Sequence, residues 1–167
     1  FNQIIQTLDP PAKTAGRTIL AVNQIYETLL WRKTASEYEG LLAESWEQTD
    51  DLTYVIKLRK GVKFHNGDEL KASDVVFSWK RACNTTQAMT NIGSLWDADN
   101  CTVVDDYTVS FKTKNPAALA LYSLSYGQGA IVQEKWTTEV GEDISFKSCG
   151  TGAYKQDGTW TVGEDLK

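Results

Sequence analysis

The sequence predicts an α+β fold (mixed α/β), with a small sheet built from hairpins and packed by helices. Three observations carry this. Ile19, Val22, Ile25, Tyr26, Leu29 and Leu30 recur at helical spacing, which gives one buried face. Tyr54, Ile56 and Leu58 alternate with Thr53, Val55, Lys57 and Arg59, the pattern of a half-buried strand. Turn residues at Asp105-Asp106-Tyr107 and Gln156-Asp157-Gly158 separate runs that favour strands.

Taken in order, Leu8-Asp9-Pro10-Pro11 stops whatever precedes it, because proline fixes φ and has no N–H to donate. A helix over 18–30 follows. After a loop around Gly40 come Leu41, Leu42, Ala43 and Trp46, then the strand 53–59. Lys60-Gly61 turns the chain into a partner strand beginning Val62-Lys63-Phe64 and ending at the turn dipeptide Asn66-Gly67. Ser73 is placed to cap a helix over 74–82, with Asp74 in its first turn suiting the macrodipole and Val75, Val76 and Trp79 facing inward. Thr102-Val103-Val104 and Thr108-Val109-Ser110-Phe111 form a hairpin. Asn115-Pro116 reads as cap and first position of a helix to about Ser123, and another helix is expected near 133–140. Ala153-Tyr154-Lys155 and Thr159-Trp160-Thr161-Val162 close a last hairpin. With no repeat and no linker, residues 1–167 read as a single domain.

The totals exclude several functions. The chain is 41% hydrophobic and 23% charged, ordinary for a globular protein. A net charge of −5 argues against a nucleic-acid partner. No apolar run approaches the roughly 20 residues of a membrane span. Phe1-Asn2-Gln3-Ile4-Ile5 carries neither a signal-peptide pattern nor a lipoprotein cysteine, so in an exported protein that segment is expected to have been removed. Cys83, Cys101 and Cys149 lack metal-ligand spacing. They allow at most one disulfide, for which Cys83 and Cys101 are the pair, or else three buried thiols.

The chemical candidates are each weaker than their plain alternatives. His65 is the only histidine, and no serine or cysteine nearby carries a nucleophile signature, so packing or hydrogen bonding at a strand end explains it better. Asp97-Ala98-Asp99-Asn100 begins like a calcium loop and then fails, so it and the pairs Asp50-Asp51 and Asp105-Asp106 read as solvated turn residues. Gly150-Thr151-Gly152 lacks the third glycine of a dinucleotide loop and reads as a backbone kink before a strand. Asn84-Thr85-Thr86 and Asn100-Cys101-Thr102 match the glycosylation sequon, a motif common by chance. Trp31, Trp46 and Trp79 fall at inward positions, which favours core packing over a sugar platform; Trp96, Trp136 and Trp160 are less constrained.

The most specific block joins Leu42-Ala43-Glu44-Ser45-Trp46-Glu47, Thr53-Tyr54, Leu58-Arg59-Lys60-Gly61-Val62-Lys63-Phe64-His65-Asn66-Gly67 and Ala72-Ser73-Asp74-Val75-Val76-Phe77-Ser78. Thr7-Leu8-Asp9-Pro10 and Ile25-Tyr26-Glu27-Thr28-Leu29 precede it. Val104-Asp105-Asp106-Tyr107-Thr108-Val109 and Gly150-Thr151-Gly152-Ala153-Tyr154-Lys155 follow. In this order the segments resemble the front part of the oligopeptide/dipeptide-binding proteins, solute-binding family 5 of the ABC importers. Departures are Thr28 for a glycine, Lys71 for a threonine cap (leaving Ser73 as substitute) and Ala153 for a proline. A full member is also several times longer, so the chain resembles a fragment of the first lobe, up to the Gly-Thr-Gly motif.

The resemblance implies a partial lobe of a periplasmic-binding-protein type II-like fold, and a binding protein rather than an enzyme. It implies a peptide ligand, an ABC permease as partner in the intact protein, and no cofactor. It also implies a place outside the cytoplasm, in the periplasm or lipid-anchored at the outer face of the cell membrane. Thr14, Ala15 and Gly16, just after Leu-Asp-Pro, would line the ligand cleft, and Asn91 is a second ligand-binding candidate. Most of the chain would then be scaffold, with Trp46, Tyr54, Leu58, Phe64, Val75, Val76 and Trp79 sharing a core. The alternatives are the same scaffold with a metal chelate, haem or oligosaccharide, or a carbohydrate-binding module.

Overall fold

The computed structural model describes residues 5–12, 16–85 and 92–162. Helix α1 (Gly16–Ile25) leads into a two-stranded hairpin, β1 (Leu30–Arg32) and β2 (Tyr38–Gly40). Strands β3 (Ala43–Gln48) and β4 (Thr53–Leu58) precede helix α2 (Ala72–Asn84). Then come β5 (Thr102–Asp105), β6 (Thr108–Lys112), α3 (Ala120–Leu124) and α4 (Glu134–Val140). The second sheet is antiparallel throughout, in the order β3-β4-β6-β5.

The alternation in β4 fixes the register: Tyr54 stands opposite Phe111 and Ile56 opposite Val109, all buried on one face. Helix α2 covers that face with Val75, Val76 and Trp79. The Trp79 ring stacks on Phe111 at 5.3 Å, and Trp96 meets Trp79, Phe111 and Tyr54 edge-on at 5.5–5.9 Å. A second cluster gathers Leu8, Val22, Ile25, Tyr26, Ala130, Val132, Ile144 and Trp160, and Trp136 packs against both clusters.

Several expectations need correction. The first helix stops at Ile25 rather than Leu30, because the Gly152 and Tyr154 N–H groups take the Ile25 and Gln24 carbonyls (2.9 and 3.1 Å). Leu29 and Leu30 are buried as expected, but as the approach to β1. Val62-Lys63-Phe64 forms no partner strand; β4 is already flanked by β3 and β6, and 63–69 closes as a turn around Gly67 at φ +94°.

Lys71, not Ser73, is the N-cap of α2. The Asp74 carboxylate accepts the Lys71 N–H at 2.9 Å, and its other oxygen accepts the Glu134 N–H at 2.9 Å, tying the starts of α2 and α4 together. The helix expected from Pro116 begins only at Ala120, since 114–119 are mostly exposed and the buried face starts with Ala120, Ser123 and Leu124. The final hairpin does not form among the described residues: the Tyr154 N–H is spent on the end of α1, while Trp160 enters the second cluster. Trp31 is 54% exposed, whereas Trp96 and Trp160 are buried and Trp46 is half-buried. All three cysteines are free and buried.

Candidate functional site

Of the residues singled out for ligand binding, Thr14, Ala15 and Asn91 lie outside the described residues. Gly16 opens α1. What the structure gives is the frame on either side of them, a tight turn at Gly127–Gly129. The turn packs against Pro10–Ala12, α1 and α2. A Cβ on Gly127 would sit 2.6 Å from Asn23 Oδ1 and 3.3 Å from Ile19 Cγ2, both on α1. One on Gly129 would sit 2.5 Å from the Trp79 ring and 3.3 Å from Ile92 Cδ1. The helix that Gly16 opens and the residue after Asn91 therefore rest on one support, which packs closely against both because it is glycine at both ends.

A second junction holds the end of α1. A Cβ on Gly150 would lie 2.0 Å from the Ile25 carbonyl oxygen, and one on Gly152 would lie 2.6 Å from that of Gln24. The chain bends over 151–153 as expected, though no strand follows among the described residues; neither glycine has positive φ, and the pair also serves close backbone approach. His65 pins this segment. Its Nδ1 accepts the Gly150 N–H (3.3 Å), its Nε2–H donates to the Gly152 carbonyl (2.8 Å), and its own N–H donates to the Gly150 carbonyl (2.8 Å). Both ring nitrogens are thus engaged by backbone, the hydrogen-bonding role expected of this histidine, but in a turn and not at a strand end.

Sequence reading missed a groove of about 690 Å³ beside α2 and α4, lined among others by Asp9, Phe77, Arg81, Thr137 and Phe146. Arg81 clamps Asp9 with two parallel bonds of 2.6 and 2.7 Å, although 72 residues separate them. This ties Leu-Asp-Pro to α2. The Leu-Asp-Pro match marked Asp9, but nothing local to Arg81 pointed back to it.

Burial pushes the thiol of Cys83 up to about 11 and raises those of Cys101 and Cys149, so none is an activated thiolate. No group of three or more His, Cys, Asp or Glu among the described residues converges to hold a metal. No helix of the described residues is long and apolar enough to cross a membrane.

The acidic turn residues behave as the sequence suggested. The Leu52 N–H lowers Asp50, the Asn100 side chain lowers Asp97 and the Tyr107 N–H lowers Asp105. Carboxyls lowered on folding add stability that is present above their ordinary value of 3.8 and lost as pH falls through the lowered folded value. Asp74, raised chiefly by burial, works in the opposite sense, its contribution fading as pH rises. Glu69 is lowered too, chiefly by the Tyr107 hydroxyl; with four groups against one, thermal melts should show a melting temperature that declines below pH 3.8. A flat profile there would contradict the turn-capping roles.

A model of the bacterial extracellular solute-binding proteins, family 5 Middle, matches residues 37–167. Glutathione-binding protein GsiB of Salmonella choleraesuis is 29% identical over 162 residues, 96% of this chain and 31% of its own length. Among solved structures, the periplasmic binding protein DppA of Helicobacter pylori in complex with the peptide STSA superimposes with TM-score 0.83 at 27% identity. The match covers 96% of this chain and 36% of that one. The binding protein MoaA of Agrobacterium tumefaciens R10 in complex with mannopinic acid gives TM-score 0.83 at 28% identity, covering 99% and 34%. The chain thus spans about a third of the length of these relatives.

Proposed function

Because this chain belongs to family 5 of the bacterial extracellular solute-binding proteins, we propose that it is the front portion of a receptor that binds peptides outside the cytoplasm and delivers them to an ABC permease. Residues 1–167 form part of its first lobe, and most of them are scaffold. The observation that carries this reading is the Gly127–Gly129 turn, which gathers the chain flanking both ligand-binding candidates, the Thr14–Gly16 segment and Asn91, onto one support. Those residues contribute one wall of a cleft whose charged anchors come from the rest of the receptor.

An extended peptide fits such a cleft, since its backbone pairs with the protein while its side chains enter hydrated pockets. Closure of two lobes follows from tighter binding to the closed state. The peptide STSA in DppA and the glutathione of GsiB's name support a peptide ligand. Mannopinic acid in MoaA supports a second reading, a non-peptide ligand on the same scaffold.

Gly16 provides the test. In the full-length receptor, Gly16→Val is expected to weaken peptide binding by roughly tenfold or more, a step of about 1.4 kcal/mol. Its melting temperature without ligand should shift little. Calorimetric titration and thermal melts on the same samples separate the two. Unchanged affinity would remove this segment from the ligand wall.

A further inference from the structure

Asn66-Gly67 is the only Asn-Gly pair in the chain, and Asn66 is exposed. In such a pair the glycine amide nitrogen, unhindered by a following Cβ, attacks the asparagine carboxamide carbon. Ammonia leaves, a succinimide ring forms, and water opens it to aspartate or isoaspartate. The folded turn opposes each requirement. The Gly67 N–H, which must give up its proton to attack, donates to the Phe64 carbonyl at 2.9 Å. The carboxamide, which must rotate toward that nitrogen, is held at both ends. Its Oδ1 accepts the Asp68 N–H at 3.1 Å, and its Nδ2 donates to Gln133 Oε1 at 2.6 Å and to Asp68 Oδ2 at 3.2 Å. Gln133 is buried and closes the ring by donating its Nε2–H to Asp68 Oδ2 at 2.8 Å.

We propose that Asn66 is a latent deamidation site, latched shut by the Gln133–Asp68 clasp and modified when the 63–69 turn opens. The product destroys its own latch. An aspartate at 66 has no N–H for Gln133 Oε1, and it places a second carboxylate beside Asp68. The turn carrying His65 thereby keeps only the Gln133–Asp68 bond of its two ties to the start of α4, so a molecule that has opened once and reacted closes less firmly afterwards.

The test follows the 167-residue chain at one pH and temperature, folded and in urea, with peptide mapping for the amide-to-acid mass change and enzymatic detection of isoaspartate. In urea, Asn66 should react fastest of the asparagines. In the folded chain it should react slower by roughly tenfold or more, because local opening must come first. Gln133→Ala, confirmed folded by circular dichroism, should raise the folded rate toward the urea rate, and Asn66→Asp should melt below the unmodified chain. Equal rates in the folded and unfolded wild-type chain would overturn the proposal. So would a folded Gln133→Ala chain reacting no faster than wild type.

Discussion

Replacing Trp79 with alanine is expected to lower stability by roughly 3–5 kcal/mol, the loss typical of emptying a large aromatic from a core. The indole is fully buried, stacks on Phe111, meets Trp96 edge-on and lies against Gly129. Its loss opens a cavity between α2 and the sheet and removes one side of the seat for the Gly127–Gly129 turn. Trp79→Phe is the informative control. Phenylalanine keeps part of the stacking, and it removes an indole N–H that is buried without a partner among the described residues. It should therefore cost clearly less than alanine. Urea unfolding of the three chains side by side checks the order, and an alanine variant with unchanged stability would refute this core.

Gly150→Ala is expected to cost about 3 kcal/mol, the upper range for overpacking a well-filled site. The reason is geometric: the new methyl would stand 2.0 Å from the Ile25 carbonyl oxygen and 2.9 Å from the Tyr26 ring. A backbone carbonyl at the end of a helix cannot swing aside as a side chain can. Relief requires the Gly150–Gly152 segment to withdraw, which lengthens the bonds to Ile25 and His65 together. Gly158→Ala is a useful contrast, because no atom of the described residues lies within 4 Å and its positive φ is what opposes a side chain. Equal melting temperatures for Gly150→Ala and wild type would show that the crossing is looser than these distances require.

What the sequence revealed, and what it hid, divides along local and non-local lines. Strand β4, the β5–β6 hairpin, the inner face of α2 and the position of α4 were legible because each pattern lies within a dozen residues. The β1–β2 hairpin was not. Leu30-Trp31-Arg32 buries only its first residue, too little to show alternation. Where α1 ends is decided by Gly152 and Tyr154, over a hundred residues away, so helical periodicity alone overran it.

Tryptophan burial was legible at Trp79 and in part at Trp46, but not at Trp31 or Trp96, for the same reason. Trp96 is fixed by its ring contacts with Tyr54, Trp79 and Phe111 and by the bond from its Nε1 to Ser123 Oγ, all tertiary partners. For the candidate site, the sequence marked Gly150 and Gly152 and the bend between them, but not the close approach to the end of α1 that they permit. Gly127 and Gly129, which hold the candidate wall, carry no pattern distinguishing them from loop glycines. The Asp9–Arg81 clamp spans elements that only the fold brings together.

The central claim is that this chain is one wall of a peptide receptor whose site needs the rest of the polypeptide. Calorimetric titration of a mixed peptide pool, run in parallel on the 167-residue chain and on the full-length protein, tests it most directly. Binding is expected from the full-length protein and none from the 167-residue chain. Binding by the 167-residue chain itself would contradict the claim, because a complete site would then lie among residues assigned here to scaffold.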